Sequence, residues 1–407
     1  MDITLWVSTD ETAMWLVENT VLQNYEYNTR RLVESDANKP REFHRLPEAI
    51  KRILYLDAVD IIIEINKKPV LAVEISHEAG TGHNSFQRFS RIVAAAEYNI
   101  PVAYIYPEAG FVHRRDSDRW DRINPNIFRA LEKVMQIHNS PALLYYYPSE
   151  FDGDYGKAPS TPKGLIHDET HLSSPNSQDE EIKEFFKLVD LIVDETINKK
   201  DELLLINNLL VSQRRDWMQE QFVLKGGKDK VWSPNTATIT VSTSSLMKYI
   251  KKFSGENYPF GDLLTSRDET VIYKVNARLR GDPYAGVLSA LDYLTTRIGE
   301  NIDDREKNLV MAWCDIEYDE DNDELNVVDS QASINDFMES VNKVRDPRKC
   351  LLSFSEYDKL SLEKHNIPRY FMQIQHGCRF TKSKELRVYS AFADAILFED
   401  GCLWKDG

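Results

Sequence analysis

The sequence predicts an α/β protein. Three observations carry the prediction: two short apolar strands joined by a polar break between residues 60 and 75, a helical stretch SFQRFSRIVAAAEYN after them, and then PVAYIYP, a continuous apolar run of the kind a buried parallel strand shows. At 407 residues, 42% of them hydrophobic and 29% charged, the chain is long enough for two domains that each bury a core.

The elements follow in order. Apolar residues recur at helical spacing from Thr12 to about Leu32, so a helix is expected there, and LPEAIKRILYL gives a second, short one. Strands are expected over Asp60 to Ile65 and Val70 to Ile75, joined by NKKP. The Gly-containing loop HEAGTGHN leads to the next helix, then to PVAYIYP, and PALLYYYP adds an edge strand. Helix, two strands, helix and strand describe a mixed sheet with helices on its faces.

Residues 151–180 are rich in Gly, Pro, Ser and Asp, and are expected to link a first domain over 1–150 to a second over 181–407. In the second, DEEIKEFFKLVDLIVDETINK reads as an amphipathic helix with acids in its first turn, and the chain ends in a strand pair, ADAILF and CLW, around the turn EDG. Its alternation of helical and strand-like segments predicts an α+β domain. Asp315, Glu317, Asp319, Glu320, Asp321, Asp323 and Glu324 resemble a calcium loop only superficially. Glu324 stands where an EF-hand needs Gly and Ser330 where it needs Glu, so an acidic hairpin turn is expected.

Cys314, Cys350, Cys378 and Cys402 include no CxxC pair, which argues for reduced thiols rather than a disulfide framework or a zinc site. The N-terminus lacks a basic region, and no apolar run approaches the ~18 residues that span a bilayer, so a soluble, cytoplasmic protein without membrane partners is expected. The formal charge of −16 weighs against nucleic acid as a whole-molecule sum, but phosphate responds to local charge. Arg214 to Lys252 holds eight Lys or Arg against three Asp or Glu, and Lys343 to Arg387 eleven against five. Arg214, Arg215, Lys248, Lys251, Arg379 and Lys382 are the nucleic-acid contacts expected from these stretches, and Arg91 is one from the helix after the strands.

Asp60 and Glu74 carry the chemistry. Acids are unfavourable in strands unless something offsets their desolvation, and a divalent cation shared between adjacent strand ends does so. Mg²⁺ suits such a pair because it keeps several waters and takes one or two carboxylates from the protein. Thirteen residues separate Asp60 from Glu74-Ile75-Ser76.

An Asp, a short spacer and then Glu-x-Lys on adjacent strands, with a helix before and after, is the pattern of the PD-(D/E)XK nucleases, and residues 10–147 resemble that superfamily. The resemblance implies a restriction-endonuclease-like mixed sheet flanked by helices, with Asp60 and Glu74 as Mg²⁺ ligands and Asp57 as a second candidate for the first position. It further implies a DNA endonuclease of the type II restriction or defence kind, acting on double-stranded DNA as a homodimer. The chain departs from the pattern at Ser76, which stands in the lysine position. Gln87 and Arg88, on the following helix, are the candidates to supply what Ser76 lacks, since Arg holds phosphate bidentately. The alternatives are a catalytically silent nucleic-acid-binding or assembly module, and a nuclease acting on RNA.

Overall fold

The computed structural model describes the chain except for residues 33–41, 44, 77–84, 114–117, 148–174, 199–202, 229–237, 255–265, 276–281, 330–351, 354–369, 375–383, 399–400 and 406–407. It divides into two compact units, Met1–Val231 and Trp232–Gly407.

In the first unit a six-stranded mixed sheet has the order β2-β1-β3-β4-β5-β8. Its strands are β1 (Ile3–Val7), β2 (Asn28–Arg31), β3 (Ile61–Ile65), β4 (Lys68–Ile75), β5 (Val102–Pro107) and β8 (Ala142–Tyr147). The strands β4, β5 and β8 run parallel, while β3 pairs antiparallel with both β1 and β4. A separate hairpin joins β6 (Ala109–His113) to β7 (Asp118–Arg122).

The hairpin that carries the two acids is built locally. β3 is IIIEI, β-branched at four of its five positions and buried throughout, a composition that fits a pleated surface covered on both sides. The turn into β4 places Asn66 at φ 50° and Lys67 at φ 66°, the two left-handed positions of a type I′ turn, whose twist matches the flanking strands. Asn66 also accepts from the Asp2 N–H through its side chain and donates its own N–H to the Asp2 carbonyl, tying the turn to the start of β1.

The first helix, α1 (Asp10–Glu18), is shorter than its periodicity suggests. Thr9 caps its start by accepting from the Thr12 N–H, but at the other end the Asn19 amide donates to the Trp15 carbonyl, and Thr20 caps a new 3₁₀ turn over Val21–Asn24. The chain then enters the exposed edge strand β2, where a continued helix was expected. Further helices described in the unit include α2 (Glu48–Ile53), α3 (Phe89–Ala96), α4 (Asn126–His138), α5 (Glu180–Ile197) and α6 (Leu209–Leu224), with a single turn over Leu203–Ile206 before the last.

The position of α5 and α6 corrects the expected domain boundary. The buried face of α5, with Ile182, Phe185, Val189 and Ile192, packs on β8 and β4, and α6 packs on α4 and β8. A Gly- and Pro-rich stretch marks a connection, and nothing in composition shows whether the helix after it returns to the same sheet. Covered in this way, β8 is a terminal strand buried at every position.

The second unit holds a seven-stranded sheet of order β14-β15-β17-β16-β11-β10-β9. It comprises β9 (Thr238–Ser242), β10 (Glu269–Lys274), β11 (Asn308–Ala312), β14 (Leu352–Ser353), β15 (Tyr370–Ile374), β16 (Ala395–Phe398) and β17 (Gly401–Lys405). The expected terminal strand pair is present as β16 and β17. Three adjacent strands, β10, β11 and β16, are parallel, so this unit too is a mixed α/β sheet rather than the segregated α+β arrangement expected. Its described α-helices are α7 (Thr243–Ser254), α8 (Asp282–Leu291), which runs into a π-helical turn over Asp292–Thr296, and α9 (Lys384–Phe392).

The acidic run forms the expected hairpin, β12 (Asp315–Asp319) against β13 (Glu324–Asp329), with Asp323 left-handed at the turn. Asp323 accepts from the Ser245 hydroxyl, from Lys248 Nζ at 2.9 Å and from the Tyr318 hydroxyl at 2.9 Å, which docks the hairpin tip on α7. These donors, Ser245 first, hold its carboxyl down at about 2. A depressed folded pKa contributes stability that is present above the unfolded value of about 3.9 and is lost as pH falls through the folded one. Tyr318 ring resonances should therefore shift as the tip releases between about pH 4 and pH 2, and in Asp323→Asn that transition should be absent.

Candidate active site

The I′ hairpin sets the two acids side by side. Ile61 pairs with Val73, the Asp60 N–H donates to the Val73 carbonyl at 3.0 Å, and Asp60 Oδ2 accepts from the Ile75 N–H at 2.8 Å. The Asp60 carboxylate is thus folded against the end of β4 where Glu74 stands. That end is the carboxyl end of a parallel segment, β4-β5-β8, beside the strand at which the direction changes, the place where open α/β sheets gather ligands.

Glu74 is 1% exposed. Its Oε1 accepts from Arg91 Nη1 at 2.9 Å and lies 3.7 Å from Arg88 Nε, whereas its Oε2, also buried, has no hydrogen-bond partner among the described residues. Burial pushes this carboxyl well above its ordinary range and the Asp60 charge adds to the effect, with Arg91 and Arg88 pulling in the other direction. Arg91 also donates through Nε to Asp57 Oδ2 at 2.7 Å. Desolvation works against its charge, but Glu74 and Asp57 outweigh it and raise the guanidinium pKa further.

Arg91 therefore belongs to the carboxylate cluster, not to the phosphate-contacting surface expected for it. Arg88, the residue before α3, and Arg91, in its first turn, both come within 4 Å of Glu74 Oε1. Asp57, considered above as a metal ligand, has its Oδ1 on the Ala58 N–H and its Oδ2 on Arg91, so protein donors engage both oxygens and make it an anchor for the arginine. Ser76 is buried, with its N–H on the Ile105 carbonyl and its own carbonyl accepting from the Tyr147 hydroxyl at 2.8 Å. Gln87 lies half-buried just before α3, and among the described residues no hydrogen bond joins it to the acids.

The distal basic residues divide differently from expectation. Arg214 is 7% exposed, with its guanidinium 3.5 Å from the Trp217 ring centroid and 4.3 Å from that of Tyr145; it donates to the Leu144 carbonyl and pairs with Glu181. Arg215 pairs with Glu132 at 2.6 Å, and Lys248 with Asp323. Arg214 and Arg215 thus bind α6 to its neighbours, in place of the DNA contacts proposed for them. Arg214→Ala should lower stability to chemical denaturation by about 1.5–3 kcal/mol, while leaving the affinity for duplex DNA unchanged. Arg379 and Lys382 lie outside the described residues, as does the side chain of Lys251.

Two tyrosines escaped the sequence reading. Tyr147 anchors Ser76, and Tyr104 is the register partner of Glu74 on β5. Their signal is alternation within VAYIYP and ALLYYY, but which tyrosine faces Glu74 depends on strand register, and the intervening helix sets that register.

Two carboxylates are the number that Mg²⁺ commonly takes from a protein, and if a cation bound here Asp60 and Glu74 would be the residues to hold it, through the buried Glu74 Oε2 that has no hydrogen-bond partner among the described residues. Among the described residues no group of three or more His, Cys, Asp or Glu assembles as a metal centre. Among them, too, no helix is long and apolar enough to cross a membrane. Comparison with protein-family models, with curated proteins and with solved structures finds no match for this chain.

Proposed function

We propose that the chain is a Mg²⁺-dependent endonuclease that hydrolyses phosphodiester bonds in double-stranded DNA, of the restriction or defence kind. In this reading it works in the cytoplasm as a homodimer, so that two copies address the two strands. The observation that carries the reading is the juxtaposition of Asp60 with a buried Glu74 whose Oε2 has no hydrogen-bond partner among the described residues, at the carboxyl end of β4. A buried carboxylate with an unused oxygen is costly unless a ligand uses it. The order of hairpin, helix and parallel strand around the pair is also the order that the resemblance to PD-(D/E)XK nucleases anticipates.

In this reading Asp60 and Glu74 hold the cation, which supplies charge neutralisation and a lowered pKa for bound water. Arg91 fixes Glu74 through Oε1 and so aims Oε2. Arg88, a quarter exposed, places a guanidinium at the mouth of the cluster, where it can hold a phosphate oxygen and take over part of the missing lysine's role. Asp57 orients Arg91 without touching substrate.

The test is incubation of the purified chain with Mg²⁺ and mixed-sequence plasmid DNA, with RNA as a parallel substrate. Discrete DNA fragments support the reading, and cutting confined to RNA changes the substrate. The absence of any cutting would favour a second reading, a catalytically silent binding module, for which Ser76 at the lysine position is the specific observation. A Mg²⁺-induced rise in melting temperature that vanishes in Glu74→Gln separates a metal-binding site from an ion-pair cluster.

A further inference from the structure

The sheet of the first unit ends at β2, whose residues Asn28, Thr29, Arg30 and Arg31 are all exposed, and no strand lies beyond it among the described residues. Its register on β1 decides which backbone groups are already used. The Leu32 N–H donates to the Val7 carbonyl, so by alternation Arg30 and Asn28 also turn their N–H and C=O toward β1, while those of Thr29 and Arg31 face outward. Tyr25, at φ −124° and ψ 152°, is extended as well, so the chain runs into β2 already in strand conformation. An outward row of backbone groups is a template for another strand.

The two ends of this edge carry opposite charge. At its start Asp2, Tyr25, Glu26, Tyr27 and Asn28 help to line a cleft of about 470 Å³. Both acids are exposed, and Glu26 makes no ion pair among the described residues. At its end stand Arg30, with its guanidinium carbon 5.2 Å from the Trp6 ring centroid, and Arg31, 56% exposed and 3.6 Å from Asp10. A single sign of charge along an edge repels a second copy. β2 is divided instead, so a second copy laid antiparallel brings its arginine end onto the acid end of the first.

We propose that β2 is the interface between two copies of this chain, paired antiparallel about a two-fold axis at Asn28 so that the two six-stranded sheets become continuous. The inference rests on the homodimer of the reading above and is independent of the chemistry at Glu74. In this register Thr29 exchanges backbone hydrogen bonds with the partner's Tyr27. Glu26 stands opposite the partner's Arg30 at a non-hydrogen-bonded pair, where side chains approach most closely, and symmetry makes that pair twice. On the other face Tyr25 stands opposite the partner's Arg31, whose guanidinium its ring attracts. An axis at Arg30 instead would set the two Arg30 side chains against each other, which their like charge disfavours.

Sedimentation of the full chain, as wild type, Glu26→Arg and Arg30→Glu, tests the interface. Wild type is expected to be a dimer. Each single variant sets like charges opposite one another at both pairs, and its dimer Kd should rise by on the order of 10-fold or more. An equimolar mixture of the two variants should dimerise again, because every facing pair is then one acid and one arginine, whereas a loss of fold in either variant would not recover on mixing. Dimerisation of both single variants with the wild-type Kd would overturn the interface and leave a homodimer built elsewhere. Single variants that dissociate and stay apart on mixing would also overturn it. A monomeric wild type would overturn the interface together with the homodimer of the reading above, while plasmid cleavage with Mg²⁺ tests the nuclease assignment separately.

Discussion

Arg91→Met should destabilise the first unit by about 3–5 kcal/mol, the cost of leaving a buried charge without its partner. The guanidinium lies between two acids that are themselves nearly inaccessible, Asp57 at 2.7 Å and Glu74 at 2.9 Å, with 14% of its own side chain exposed. Methionine preserves the volume and removes the charge, so the loss measures electrostatics rather than a cavity. Arg91→Lys should recover only part of it, because one ammonium cannot reproduce the fork that meets Asp57 through Nε and Glu74 through Nη1. Arg88→Met should cost less than 1 kcal/mol, because that side chain is 25% exposed and 3.7 Å from the same oxygen. Urea denaturation of the three variants gives the ranking, and equal losses at both positions would refute the assignment of Arg91 as the principal counter-ion.

That contrast also shows where the sequence stops being informative. Asp60 and Glu74 were legible together because what places them is local: two apolar runs make the strands and the Asn66-Lys67 turn pairs them, while the bulge between Ile63 and Glu64 that completes the register at the acids was not legible. The identity of the counter-ion was not legible. Gln87, Arg88 and Arg91 all lie on the right face of a predicted helix, and only the packing of α3 on β4 and β5 decides which of them meets the acids. Arg214 fails for a related reason. A cluster of basic residues looks like a phosphate-binding surface until the aromatic neighbours Tyr145 and Trp217 and the acid Glu181, remote in sequence from one another, are seen around it. Similarly, β1 is a five-residue segment with four apolar residues and no periodicity to declare it, and pairing with β3 is what makes it a strand.

On the proposed nuclease reading, Glu74→Gln should lower cleavage by on the order of 10³-fold, while leaving a folded protein. The substitution is nearly isosteric and removes the charge that a cation needs, so the Mg²⁺-dependent rise in melting temperature should disappear with the activity. A second signature separates this residue from an ordinary ion-pair partner. Burial has raised the folded pKa of Glu74 above its unfolded value, so the folded state binds the proton more tightly. The corresponding stability is fully present below the unfolded pKa and is lost as pH rises through the elevated folded one. Glutamine does not titrate, and the stability of the variant should therefore vary less with pH over that window. Mg²⁺ needs the ionised carboxylate and displaces its proton, so the metal-induced stabilisation of wild type should grow with pH across the same window. Melting curves at several pH values, with and without Mg²⁺, for wild type and Glu74→Gln give both slopes. If Mg²⁺ stabilises the two proteins equally at every pH, the cation binds elsewhere and Asp60 and Glu74 form only an ion-pair cluster.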